Sequence, residues 1–323
     1  MANPSSNHFS FLKQPASLLF LSLWLLVVLA TSVFIGLRPD HYMLFGLVLA
    51  FFCLCRFTRR LLMALLPFVL FALSYDWMRV FPNYLVNSID TEQLFRLEQR
   101  LFGISTADGL LIPNQWFALH HCTLADAVAG ICYLCWVPGP IAFALWLYFK
   151  GEYQWCTRFT WTFLLVNLIG FAGYYVHPAA PPWYVLQYGF TPVLDTPGNV
   201  GGLIRFDQLV GAPVFQSIYV NNSNVFAAMP SLHSAYLLVT SAYALMSRQR
   251  WPLTLACILL CVGIWFAAVY SGHHYLLDVL AGILTALLGV ALGEWLYRRT
   301  GVGQRFVEGY SVLMGRPAQE QKR

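Results

Sequence analysis

Hydrophobic residues run through this chain in blocks rather than along one face of each element. Apolar runs cover about residues 16–36, 42–55, 61–75, 124–149, 155–176, 231–247, 252–270 and 274–297. A helix that crosses the hydrocarbon core of a bilayer needs ~20 such residues. The pattern therefore predicts an all-α, polytopic membrane helix bundle with six to eight spans. The second and third runs are short and read as a tight hairpin around Arg56, Arg59 and Arg60. Pro138-Gly139-Pro140 predicts a kink or break in the fourth.

Two stretches break the apolar pattern. Residues 76–123 contain a segment from Asp90 to Phe102 that reads as an amphipathic helix at the interface, with Leu94, Leu97 and Leu101 on one side. Residues 177–230 are rich in Pro, Gly and Asn, too long for a plain connection. Their aromatic residues, Trp183, Tyr184, Tyr188 and Phe190, predict an ordered cap near the interface. The chain then divides into a cytoplasmic tail (1–15), N-terminal membrane helices with an interfacial segment (16–123), a catalytic membrane core (124–297) and a second cytoplasmic tail (298–323).

Composition agrees: of 323 residues, 59% are hydrophobic and 10% charged, against about 25% charged in a soluble domain. The net charge of +5 comes from scattered arginines with no basic stripe, which argues against a nucleic-acid partner. The eight cysteines lie almost all in apolar runs and read as small buried side chains, Cys132 and Cys135 included. They predict neither zinc nor disulfides. Lys13 followed by an apolar run mimics a signal peptide, but the run has spanning length and no clear cleavage site, so it reads as a retained helix. Asn221-Asn222-Ser223 is a glycosylation sequon short enough to arise by chance.

Basic residues orient the bundle. With the N-terminus inside and eight spans, Lys13, Arg56, Arg59, Arg60, Lys150, Arg158, Arg248, Arg250, Arg298, Arg299, Arg305, Arg316, Lys322 and Arg323 fall on the inner side. These are fourteen of the nineteen basic residues, as the positive-inside rule requires. Arg38, Arg79, Arg96, Arg100 and Arg205 fall outside. Six spans leave the last four in the same orientation.

That topology turns two helix mouths to the outer face. One is Ala228-Met229-Pro230-Ser231-Leu232-His233 and the other Tyr270-Ser271-Gly272-His273-His274-Tyr275-Leu276-Leu277-Asp278. Helix N-termini present unsatisfied N–H groups that suit an anion, and Pro230 fits a first helical position. At i and i+4, Asp278 and His274 share a helix face. The carboxylate would orient the imidazole and leave its other nitrogen free as a nucleophile, with His233 as acid or base. Ionisable residues within spans are functional by default. A metal held by His273, His274 and Asp278 is the weaker reading, since His273 lies about 100° off the His274 face.

Met229-Pro-Ser-Leu-His233 and His274-x-x-x-Asp278 resemble the PSxH and HxxxD motifs of the type 2 phosphatidic acid phosphatase superfamily. The resemblance implies a helical membrane bundle, no metal or other cofactor, a phosphohistidine on His274, Asp278 as its orienter and His233 as general acid. The superfamily's first motif is missing: Gly170 replaces its lysine, His177-Pro178 its Arg-Pro, and Ala268 a further arginine. Pro178-Ala-Ala-Pro181-Pro182-Trp183-Tyr184, with the two mouths, is similar to the inositol phosphorylceramide synthases over about residues 155–297, and Asp76-Trp77-Met78-Arg79 more weakly so. This implies transfer of phosphoinositol from phosphatidylinositol to ceramide, both membrane lipids, at an extracytoplasmic face (a bacterial periplasm or a Golgi lumen). Candidate substrate-binding residues are His273, Ser231, Arg79, Arg205, His177, Trp183 and Tyr184. A lipid phosphate or polyprenyl diphosphate phosphatase, and a non-catalytic lipid-binding relative, are the alternatives.

Overall fold

A computed structural model describes residues 10–107, 109–220 and 222–317; Asn221, Lys322 and Arg323 lie outside them. The helices are α1 (Pro15–Phe34), α2 (Pro39–Leu54), α3 (Arg56–Trp77), α4 (Gln93–Phe102), α5 (Pro113–Leu119), α6 (Thr123–Leu134), α7 (Pro138–Phe149) and α8 (Tyr153–Val176). There follow α9 (Pro182–Tyr188), α10 (Ile204–Val210), α11 (Val214–Tyr219), α12 (Leu232–Met246), α13 (Trp251–Tyr270), α14 (Leu276–Arg299) and α15 (Gly301–Met314). Among the described residues, α1, α3, α8, α13 and α14 are long and apolar enough to cross a membrane, and α6 with α7, bent by 49°, makes a sixth if the pair is one broken span. The bend falls at Cys135–Val137, just ahead of Pro138, where the missing N–H and the ring end a continuous helix. The remaining apolar helices, α2 and α12, are shorter.

The bundle core lies where α3, α7, α8 and α12 meet. Phe68, Phe159, Phe163 and Tyr236 stack there, with Phe68 and Phe163 centroids 4.7 Å apart and Phe163 and Tyr236 also 4.7 Å apart. A second cluster joins α6, α13 and the cap around Tyr133, Phe206, Phe215 and Ile264. A Cβ on Gly170 of α8 would fall 2.5 Å from the Leu232 side chain. A longer side chain there would have to displace the Leu232 side chain, a physical reason for glycine where the motif of the resembled superfamily has a lysine.

Four features differ from the sequence expectation. The face of α4 that packs inward carries Leu94, Phe95 and Glu98, whereas Leu97 and Leu101 are exposed. A short hairpin, β1 (Ile104–Thr106) with β2 (Gly109–Leu111), follows α4. Helix α3 begins at Arg56, so it is a full span with Pro67 inside it rather than half of a short hairpin. The C-terminal tail contains α15, which docks on the bundle: Tyr310 donates to the Met63 carbonyl at 2.6 Å, and Ser311 lies 3.2 Å from the Thr157 hydroxyl.

The 177–230 segment does form a cap. Its helices α9, α10 and α11 lie over the mouths of α12 and α14, tied down by polar anchors. Asp207 accepts from the Phe215 and Gln216 N–H groups. Asn83 donates to the Tyr174 and Phe226 carbonyls at 2.9 and 2.8 Å.

Candidate active site

Helices α12 and α14 bring their N-termini side by side. Ser231 is the N-cap of α12, so Pro230 precedes the helix instead of opening it. The Ser231 N–H donates to the Asp278 main-chain carbonyl at 2.9 Å. A Cβ at Gly282 would sit 2.1 Å from the Ser231 carbonyl oxygen; that contact requires glycine and sets the spacing of the two helices.

His274 does not stand on the helix of Asp278. Helix α14 starts at Leu276 with Tyr275 as N-cap, and His274 lies in the preceding turn, where the His273 and His274 N–H groups both donate to the Ala268 carbonyl. Asp278 is the third residue of α14, and its Oδ2 accepts from the Tyr275 N–H at 2.9 Å. The shared-face geometry is thus replaced by a cap. Asp278 Oδ2 lies 3.5 Å from His274 Nδ1, and the nearer acceptor is the Ala228 carbonyl at 3.1 Å. Both groups accept only, so Nδ1 carries the proton and Nε2 the lone pair. His274 Nε2 is 3.2 Å from His233 Nδ1; since Nε2 is bare, His233 Nδ1 is the donor. A bare ring nitrogen and an N–H donor face each other.

Both rings open on a cavity of about 260 Å³ whose wall is largely aromatic, with Tyr133, Trp136 and Trp183 beside them. The Trp136 centroid is 4.7 Å and the Tyr133 centroid 4.9 Å from the His233 ring. His273 also lines this cavity, but its polar atoms are spent inside the protein. Nε2 donates to the Asn199 carbonyl at 3.2 Å, and Nδ1 accepts from Ser271 Oγ at 2.9 Å. Burial, aided by the nearby His274, lowers its pKa to about 3, so it is neutral and unsuited to clamp a phosphate.

The other substrate-binding candidates fall elsewhere, apart from Trp183. Arg79 binds Asp76 at 3.0 Å, in a cluster with Arg38 and His41. Arg205 binds Asp126 at 2.5 Å and lines a separate cavity of about 150 Å³ behind Trp183 and Gly272. His177 pairs with Asp90 at 3.3 Å, a hydrogen bond that raises its pKa against the opposing effect of burial. Ser231 Oγ is fully buried and bonds Ser234. Tyr184 is buried, its hydroxyl accepting from the Val193 N–H and donating to the Thr191 carbonyl. Spacing alone cannot separate such anchors from cavity-lining residues.

Two residues that sequence reasoning missed hold the catalytic turn. Asn114 donates to the Val269 and His274 carbonyls at 2.8 and 2.9 Å. Glu98, a charged residue within the segment read as an interfacial helix, is fully buried. Its oxygens accept from the Leu276 and Leu277 N–H groups at 2.9 and 3.1 Å, at the start of α14. Those N–H groups have no intrahelical partner and the helix end favours negative charge. Burial, with Asp278 nearby, nevertheless pushes the Glu98 carboxyl up to about 7. A folded-state pKa above the unfolded value means that the native state holds the extra proton, so this group's contribution to stability is lost as pH rises from about 4.5 to about 7. Glu98→Gln is therefore expected to flatten the fall of melting temperature over that window and to lower kcat about tenfold with KM little changed. Unchanged pH dependence of melting would overturn this assignment.

Residues 92–292 match the PAP2 superfamily, and that stretch holds His233, His274 and Asp278. The chain belongs to the PAP2 superfamily. Within this superfamily it is 52% identical over 277 residues to the phosphoinositol dihydroceramide synthase of Bacteroides thetaiotaomicron, covering 86% of this chain and 89% of the relative. It is 35% identical over 119 residues to the inositol phosphorylceramide synthase catalytic subunit AUR1 of Saccharomyces cerevisiae, covering 36% and 29% of the two chains. To the inositol phosphorylceramide synthase of Candida albicans it is 26% identical over 273 residues, 81% of this chain and 55% of the relative. No solved structure matches the chain. The chain thus sits in the inositol phosphorylceramide synthase group of the PAP2 superfamily.

Proposed function

We propose that this protein transfers phosphoinositol from phosphatidylinositol to the primary hydroxyl of ceramide or dihydroceramide. The observation that carries the chemistry is the 3.2 Å contact between His274 Nε2 and His233 Nδ1 at an aromatic cavity under the cap. The relative named phosphoinositol dihydroceramide synthase supports the choice of lipids.

In the first half-reaction the phosphodiester displaces the contact between the rings. His274 Nε2 attacks phosphorus and the bond to the diacylglycerol oxygen breaks; His233, entering the step as an imidazolium beside the anionic diester, passes its Nδ1 proton to that oxygen and is left neutral. His274 then carries the phosphoinositol, with Nδ1 still protonated, so the ring is cationic beside Asp278. In the second half the lipid hydroxyl attacks phosphorus, its proton goes to His233 Nδ1, and the P–N bond breaks. Trp136, Trp183 and the cap exclude water, which would otherwise compete as acceptor.

The site is assigned to the extracytoplasmic face. Twenty residues of helix separate Asp278 from Arg298, about 30 Å. Arg158, Glu294 and Arg298 meet at that far end, and Lys150 meets Gln249 at the C-terminal end of α12. The histidines are thus a bilayer's thickness away from the basic end, which the positive-inside rule puts in the cytoplasm.

The assay is direct. Purified protein in detergent, given phosphatidylinositol and a fluorescent ceramide, is expected to yield a ceramide that bears phosphoinositol, together with diacylglycerol. Release of water-soluble inositol phosphate with no ceramide product would instead establish a hydrolase.

A further inference from the structure

The catalytic cavity has an unusual lining for a phosphate site. Among the described residues it contains no lysine and no arginine. Arg79 is engaged with Asp76, Arg205 with Asp126, and His273 is neutral with both nitrogens used. The two positions where the superfamily's basic residues would stand, Gly170 and Ala268, do not line the cavity. Gly170 has Leu232 against it, and Ala268 is fully buried with its carbonyl bonded to the catalytic turn.

What the cavity does offer is a set of neutral donors. Tyr219 donates to the Tyr133 hydroxyl at 3.1 Å, which leaves the Tyr133 proton unspent. Asn224 accepts from the Phe226 N–H through Oδ1, while its Nδ2 is buried with no hydrogen-bond partner among the described residues. Tyr75 donates to Asn222 Oδ1 at 2.6 Å, which fixes the amide so that Nδ2 is its donor end. Tyr75, Tyr133, Tyr219, Asn222 and Asn224 all line it.

Building on the transferase reading, we propose that these uncharged donors, Tyr133, Asn222 and Asn224 above all, hold the phosphoryl oxygens, so that the site takes a singly charged phosphodiester and rejects a doubly charged phosphomonoester. The cost of moving an ion into a desolvated site rises with the square of its charge, so a dianion costs about four times as much as a monoanion. Neutral hydrogen bonds offset the smaller cost. The larger one needs a cation, and none lines this cavity. The missing basic motif is then a selectivity device: it shuts out phosphatidic acid, whose phosphate gains its second charge near neutral pH.

Thermal shift of the full-length protein in detergent tests this without turnover. The probes are short-chain phosphatidylglycerol, a phosphodiester, and short-chain phosphatidic acid, whose second ionisation falls near pH 6. Apparent Kd for phosphatidylglycerol is expected to stay within about threefold between pH 5.5 and pH 8, and that for phosphatidic acid to rise at least about tenfold. Asn224→Asp keeps the acceptor for the Phe226 N–H but replaces the donor with a negative charge. It should weaken phosphatidylglycerol binding about tenfold or more while leaving the apo melting temperature within a few degrees. Phosphatidic acid bound equally well at pH 8, or an Asn224→Asp variant that folds and binds normally, would overturn the proposal. Loss of transfer with the charge selectivity intact would overturn the donor and acceptor assignment instead.

Discussion

His274→Ala is expected to lower phosphoinositol transfer by about four orders of magnitude or more, the range in which removal of a catalytic nucleophile usually falls. Nothing near it can take over the attack. His233 turns its protonated Nδ1 to His274 Nε2, and both nitrogens of His273 are occupied by Asn199 and Ser271. The same variant should fail to retain label from inositol-labelled phosphatidylinositol. The wild-type protein, mixed with donor alone, should hold it in an acid-labile adduct on the peptide that contains His274. The imidazole is buried in a turn anchored through main-chain bonds to Ala268 and Asn114, so the fold should survive its loss. Residual transfer above about one per cent of wild type, in a variant with a normal melting temperature, would remove His274 from the nucleophile's role.

Asp278→Asn is expected to cost about three orders of magnitude in kcat, and the reason is charge rather than tautomer. In a serine-protease triad the carboxylate does both jobs. Here the Ala228 carbonyl, at 3.1 Å, already holds the proton on His274 Nδ1. Asp278 contributes its negative charge at 3.5 Å from that nitrogen. At an effective dielectric constant of about 20 the pair is worth about 4–5 kcal/mol, which is about three factors of ten in rate if it acts only on the cationic phosphohistidine. Asparagine keeps an acceptor for the Tyr275 N–H, so the start of α14 should persist and the melting temperature should move little. The measurement is the rate of adduct formation with donor alone. A loss of less than tenfold would show that Ala228 alone orients the nucleophile and that the carboxylate only caps the helix.

The meeting of His233 and His274, the pair proposed as catalytic, was legible because outlying polar residues stood at the ends of long apolar runs. A histidine there has few structural reasons to exist, and topology put both ends on one face. The phosphate-binding residues were less legible. Arg79 and Arg205 were read as binders because they are cations on the right side, yet each is matched by a buried carboxylate that is distant in sequence or easily overlooked, Asp76 and Asp126. Glu98 was hidden for a different reason. At i+4 from Leu94 it shares the inward face of α4, and only the docking of α4 on α14 supplies the N–H groups that its buried carboxylate binds.

By itself, then, the amino-acid sequence determined the membrane bundle, the break before Pro138, the capped mouths and the candidacy of His233, His274 and Asp278, which the structure brings together. These follow from local hydropathy, helix-breaking chemistry and rare residues in apolar surroundings, all of which are properties of short stretches. The tertiary structure alone decided how those residues meet. It put His274 in a turn ahead of its helix and gave its Nδ1 proton to Ala228. It also paired the arginines away from the cavity and left neutral hydroxyls and amides to line it. Pairings of this kind depend on contacts between residues 40 to 180 positions apart in the chain, and no local pattern encodes which of several partners will be near enough to bind.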